Sequence, residues 1–241
     1  MNASLDGRTV LVTGANGGLG EEFVQQALDR GARRVHAAAR TPRTWTDSRV
    51  SPLALDVTDP DAVVRAVTAA SDVDLVVNNA GIAPEGDSIA GPEDELRRVF
   101  ETNFFGAIRV ANAFAPALAA NGGGNLLNVL SAASWLSVPT GYAASKAAMW
   151  SATNALRVQL RGQGTQVTGL LVGMVDTPMS QKWNVPKVSA VSVVTQAYDG
   201  MLAGALEVLA DEPTRNLKSR LSTPAEELYP WFDEVLAGFV A

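Results

Sequence analysis

Short apolar runs recur along the chain, and longer stretches between them return to apolar residues at helical intervals. The runs at 9–13, 34–39, 51–55, 75–78, 125–130 and 166–172 are mostly near-continuous Val, Leu and Ala. Strands buried on both faces read this way, because neither side of the pleat meets water. The stretches at 18–30, 60–70, 92–121 and 142–161 have helical spacing. Pro60 and Pro92 are expected at first helical positions, with acids such as Glu93, Asp94 and Glu95 in the first turn. Strand and helix alternate without a long polar linker, which predicts an α/β fold: a doubly wound parallel sheet with helices on both faces, in a single domain over 1–241. Past residue 172 the alternation weakens. Residues 178–192 read as irregular or as short helices, followed by a helix at 193–202, a strand at 206–210 and a helix at 225–239.

Composition narrows the chemistry. The 241 residues carry 19 Lys and Arg against 25 Asp and Glu, a net charge of −6, which argues against nucleic acid and anionic membrane as partners. With no cysteine and one histidine, His36, thiol nucleophiles, Ser-His-Asp hydrolysis and multi-histidine metal sites drop out, and His36 itself reads as a strand residue. No apolar stretch is long enough for a membrane span, and the N-terminus lacks the blocks of a secretory signal, so a cytoplasmic protein is expected.

Two constellations remain. The first strand runs straight into Gly14-Ala15-Asn16-Gly17-Gly18-Leu19-Gly20 and then into a helix. Glycines permit the tight turn and close backbone approach, and the amides at the helix start face an anion, as a pyrophosphate cradle requires. The second is Tyr142 and Lys146, which lie four residues apart in an alanine-rich helix and so share one face. A phenol ionises near pH ~10, and a neighbouring ammonium favours the phenolate, so the pair can exchange protons near neutrality.

These residues, with Asn78-Asn79-Ala80-Gly81 after the fourth strand, resemble the short-chain dehydrogenase/reductase family in its standard-length group, over about residues 7–177. The resemblance implies a Rossmann fold and an NAD(P)-dependent oxidoreductase. It assigns Gly14, Asn16, Gly18, Leu19 and Gly20 to the cofactor, with Asp56 and Val57 at the adenine. Without it Asp56 reads as a cap for the helix near Pro60; the two roles are compatible. The resemblance further implies that Asn79 braces the central strand, that Ala80 and Gly81 line the adenosine side, and that Val175 and Thr177 lie near the nicotinamide. The second strand ends in Arg40 where an acid would exclude a 2′-phosphate, which favours NADP(H), with Arg43 close by.

The family pattern makes Ser131, which closes the fifth strand, the catalytic serine, with Ser134 its nearest competitor. It places Asn103 at a break in a long helix, where the backbone carbonyl serves a proton route from Lys146; on composition alone Asn103 is a modest helix breaker. Trp135, Leu136, Met179 and Trp183 fall in substrate-lining segments, which points to a bulky apolar or aromatic ketone, as for a carbonyl reductase, with 178–192 as lid and 178–241 as the substrate-side end. Two other readings use the same scaffold: a non-catalytic NADP(H)-sensing regulator, and an epimerase or dehydratase. The helices at 107–120 and 143–160 are apolar on nearly every face, and relatives pair them, so a homodimer or homotetramer is expected. The chain departs from the family at Val172-Gly173, where Pro-Gly is frequent, and lacks the C-terminal glycine pair.

Overall fold

The computed structural model describes residues 4–136 and 138–240. Seven parallel strands form one sheet in the order β3-β2-β1-β4-β5-β6-β9: β1 (Thr9–Thr13), β2 (Arg34–Ala39), β3 (Val50–Ala54), β4 (Leu75–Asn78), β5 (Asn125–Val129), β6 (Gln166–Leu171) and β9 (Glu207–Leu209). Every residue of β1, β4 and β5 is buried, whereas β3, on the edge, alternates and carries Pro52 where an edge strand tolerates a missing N–H. His36 sits buried on β2 against Asp72; burial lowers its pKa, which the Asp72 hydrogen bond only partly opposes.

Helices cover both faces. On one, α1 (Gly18–Asp29) and α6 (Ala190–Leu202) bury Phe23, Val24, Tyr198 and Met201; on the other, α2 (Pro60–Ala69), α4 (Ala107–Ala120) and α5 (Gly141–Leu160) bury Val63, Phe114, Leu118, Met149 and Leu156. Each of these larger apolar side chains contributes about 1.5–3 kcal/mol by leaving water. Successive strands run outward in both directions from β1 and β4, so a crevice opens where their C-terminal ends part.

Three segments differ from the sequence expectation. The single helix expected at 92–121 is α3 (Glu93–Phe100), then a π-helical turn at Glu101–Gly106, then α4. Gly106 explains the tight passage: a Cβ there would lie 2.7 Å from a Val57 methyl. Pro60 does open α2, but Pro92 caps α3 from outside, and the side chain capping α2 is Asp59, not Asp56. The stretch 178–192 contains a 3₁₀ turn (Pro178–Ser180) and closes with β8 (Val188–Ser189), which pairs in parallel with β7 (Val175–Asp176). A further helix, α7 (Glu212–Ser219), precedes α8 (Ala225–Val240). Its polar sequence EPTRNLKS hides it, since only Thr214 and Leu217 are buried.

Candidate active site

The cradle lies at the end of β1. Gly14 and Gly18 have φ of +67° and +56°, and a Cβ on Gly20 would lie 2.1 Å from the Gly14 carbonyl oxygen. Backbone cannot yield that distance, so the first turn of α1 packs against the loop only with glycine at 20. The Asn79 amide donates to the Thr13 and Gly14 carbonyls at 2.9 and 3.2 Å, while the Thr13 hydroxyl accepts from the Asn79 and Ala80 amides, both at 3.0 Å. The ends of β1 and β4 are thereby locked together beside Gly81. Thr177 reaches the same loop, since a Cβ on Gly18 would lie 3.5 Å from its side chain.

These residues fit a dinucleotide. The loop leaves open space at Gly17, the half-buried Leu19 packs on the core beneath, and Asn16 ties the loop sideways by donating to the Thr41 carbonyl at 2.7 Å. The arginines separate in role. Arg43 is engaged, with a 2.6 Å ion pair to Glu21 and its guanidinium 4.0 Å from the Trp45 ring centroid. Arg40 is exposed at the end of β2 and its charge reaches Asp56. Burial would push the Asp56 carboxyl up, but two hydrogen bonds from Thr58 and the Arg40 charge outweigh it and hold the group below its usual range. Val57 is buried beside Gly106, and its carbonyl accepts from Arg109 at 2.6 Å.

Across the crevice, Ser131 lies two residues past the end of β5 and caps a 3₁₀ turn (Ala132–Ser134), accepting from the Ala133 amide at 3.1 Å. It does not close the strand as expected. Its hydroxyl acts on the Tyr142 phenol, drawing that pKa down, whereas the Ser134 hydroxyl is turned to the Lys146 carbonyl, to which it donates at 3.1 Å. Burial pushes the Tyr142 phenol up, and the Ser131 hydroxyl draws it part of the way back. The lysine behaves differently from expectation. Its ammonium stands 5.6 Å from the Tyr142 ring centroid and donates to the Val129 carbonyl at 2.8 Å, and burial lowers its pKa to about 8. Burial outweighs what the neighbouring ammonium could do for the phenolate, so the tyrosine is held protonated.

Asn103 is buried within the π-helical turn, where its side chain accepts from the Ile82 amide at 2.8 Å and donates to the Ile82 carbonyl at 2.9 Å and to Ser145 at 3.1 Å. Ser145 in turn donates to the Tyr142 carbonyl at 2.7 Å, so one chain of bonds joins the loop after β4 to the tyrosine turn. A groove of about 380 Å³ lies over this loop, walled by Gly81–Pro84, Arg98, Pro178 and Met179. Met179 is exposed, while Val175 beneath it is buried. Leu136 and Trp183 are half-buried, with the Lys182 ammonium 4.4 Å from the Trp183 ring.

Trp135, expected in the substrate pocket, turns elsewhere. Its ring meets Trp150 edge-on at 5.7 Å and lies 4.4 Å from the Lys218 ammonium, which pairs with Glu207 at 2.8 Å. An aromatic partner and a cation on its face hold it under α7.

The model of the family described as short chain dehydrogenase matches residues 8–187. The chain belongs to the short-chain dehydrogenase family. It is 30% identical to 1-deoxy-11-beta-hydroxypentalenate dehydrogenase of Streptomyces exfoliatus over 94% of this chain and 95% of that protein. It is 27% identical to a 3-oxoacyl acyl-carrier-protein reductase of Vibrio cholerae over 75% of this chain and 79% of that protein. A short-chain dehydrogenase from Burkholderia cenocepacia, solved in complex with NADP, superposes with a TM-score of 0.88 at 31% identity, covering 95% of this chain and 99% of that one.

The dehydrogenase is therefore an oxidoreductase, and two groups that shape its site carry no local signal in the sequence. Ser145, in Tyr142-Ala-Ala-Ser145-Lys146, reads as a filler within the motif. Asp211 is buried: one oxygen accepts from the Gly173 amide at 2.6 Å and the other caps α7 through Thr214 at 2.7 Å. This short-chain dehydrogenase fastens Gly173, just past β6, with a carboxylate that follows the neighbouring strand β9. Among the described residues, no helix is long and apolar enough to cross a membrane, and no group of His, Asp or Glu could hold a metal.

Proposed function

We propose that the protein is an NADP(H)-dependent carbonyl reductase, interconverting a ketone and a secondary alcohol, with bulky apolar or aromatic ketones as its substrates. One observation carries this reading: the Lys146 ammonium stands 5.6 Å from the Tyr142 ring, whose phenol Ser131 also influences, and 3.8 Å from where a Cβ on Gly81 would lie, at the cofactor side of the crevice. Bound NADPH supplies the hydride. Ser131 donates a hydrogen bond to the substrate carbonyl oxygen, and Tyr142 gives its proton to that oxygen as negative charge develops there. A phenol held above its usual pKa is stored in the protonated form, as reduction requires. Lys146 replaces that proton, and Asn103 keeps the neighbouring loop in place.

Arg40 supports NADP(H) over NAD(H), because it is the exposed arginine at the end of β2 while Arg43 is tied to Glu21. The NADP complex of the Burkholderia cenocepacia relative supports the same choice. Ile82, Pro84, Pro178 and Met179 supply the apolar groove wall, and 178–192 acts as its lid. The exposed Phe105 and Val158, near the start of α4 and on α5, favour pairing of two copies through these helices in a cytoplasmic homo-oligomer. Consumption of NADPH and NADH against aromatic and aliphatic ketones tests the reading. NADPH is expected to be oxidised faster with aromatic ketones, and Tyr142→Phe to lower kcat by about a thousandfold or more with NADPH binding retained. Substantial turnover in Tyr142→Phe, or product formed without net NADPH oxidation, would sink it.

A further inference from the structure

Asp87 lies between β4 and α3 in Glu85-Gly86-Asp87-Ser88, a sequence that reads as an ordinary polar turn. In the structure both its carboxylate oxygens are committed to α5. Oδ1 accepts from the Gly141 amide at 3.0 Å and Oδ2 from the Tyr142 amide at 2.7 Å. Thr140 accepts from the Ala143 amide at 3.1 Å, so the first three amides of the helix all have acceptors. Two of the three are served from a loop more than fifty residues earlier in the chain. Gly141 makes the approach possible, since a Cβ there would lie 2.8 Å from Asp87 Oδ1 and 2.7 Å from a Leu96 methyl. A second tie reinforces the first, with the Ile89 amide donating to the Pro139 carbonyl at 3.0 Å. The negative charge also faces the positive end of a helix of 20 residues, where it is favourable.

We propose that Asp87 is a positioning residue for Tyr142. It fixes the first turn of α5 so that the phenol keeps its place beside Lys146. Through its own loop it also couples that turn to Ile82, Ala83 and Pro84, the wall of the substrate groove. The two ties to residue 142 converge from opposite sides: Asp87 holds its amide and Ser145 its carbonyl. The proposal rests on Tyr142 being the proton donor.

Asp87→Asn keeps the size of the side chain but turns an NH2 group toward one of the two amides. Small misplacements of a reacting group cost large factors in rate, so kcat for ketone reduction should fall about tenfold or more with KM nearly unchanged. The Kd for NADPH, read by protein fluorescence, should stay within about twofold, because the cradle is untouched. Gly141→Ala is the independent variant, displacing the carboxylate without removing its charge. It should lower kcat similarly, and the double variant should be no slower than the slower single one. Wild-type kcat in either variant, additive losses, a loss of NADPH affinity in step with kcat, or failure of both variants to fold would each overturn the positioning role. Full turnover in Tyr142→Phe refutes the tyrosine itself; an inactive Tyr142→Phe beside a fully active Asp87→Asn refutes only Asp87.

Discussion

The two walls of the crevice are built on different principles. The wall formed by β1, its glycine loop and the end of β4 is held by backbone approach: Gly20 against the Gly14 carbonyl, and Asn79 bridging two main-chain oxygens. Its parts are neighbours in space because β1 and β4 pair directly. The wall formed by the segments after β6 is held instead by a buried carboxylate. Asp211 holds the Gly173 amide with one oxygen and the Thr214 amide with the other. A wall of close-packed backbone has almost no freedom to vary, whereas a latched wall can change its latches and keep the fold. Within one family, the first arrangement suits the shared cofactor and the second suits substrates that differ between members.

The difference is sharpest under Gly20→Ala. The added methyl has only backbone to displace, which costs about 1–3 kcal/mol of stability, and NADPH binding should weaken by more than about a hundredfold as the loop opens. Isothermal titration checks this, and near-normal affinity would show the first wall to be as adaptable as the second. Asp211→Ala attacks the latched wall by removing the acceptors of two amides. Unpaired buried donors cost about 1–3 kcal/mol, so Tm should drop by about 2–12 °C for a chain of this size. KM for the ketone should rise more than Kd for NADPH; equal changes would erase the distinction between the walls.

The smallest expected effect tests the lysine, which belongs to neither wall. A pKa depressed to about 8 means that Lys146 loses its proton as pH rises through that value, well before the raised Tyr142 phenol does. The pH profile of kcat/KM for reduction should therefore fall above about pH 8, by roughly tenfold per unit. A flat profile to pH 9.5 would show that proton supply does not depend on the ammonium.

Legibility followed the same division. The cradle could be read from Gly14, Gly18 and Gly20 because each glycine answers a local demand of turn and approach. Tyr142 and Lys146 could be paired because helical spacing fixes their common face. The choice of Ser131 over Ser134 needed the family pattern, since no local feature separates the two serines. Trp135 went astray because an indole's destination depends on Trp150 and Lys218, which no local pattern links to it. α7 was missed because its buried face is only Thr214 and Leu217, too narrow for a periodic signal. The π-helical turn was visible only as Asn103 near Gly106, since nothing local shows that Val57 would crowd any larger residue at 106.

What the sequence determined by itself is the alternation of elements, the phosphate loop and the spacing of the tyrosine and lysine, all consequences of neighbours within a few residues of one another. Only the tertiary structure decided which carboxylates hold the site. Asp87 and Asp211 look like ordinary turn carboxylates along the chain. Their hold on Gly141, Tyr142 and Gly173 comes from which amides meet them when the elements dock, and that is fixed only by the packed whole.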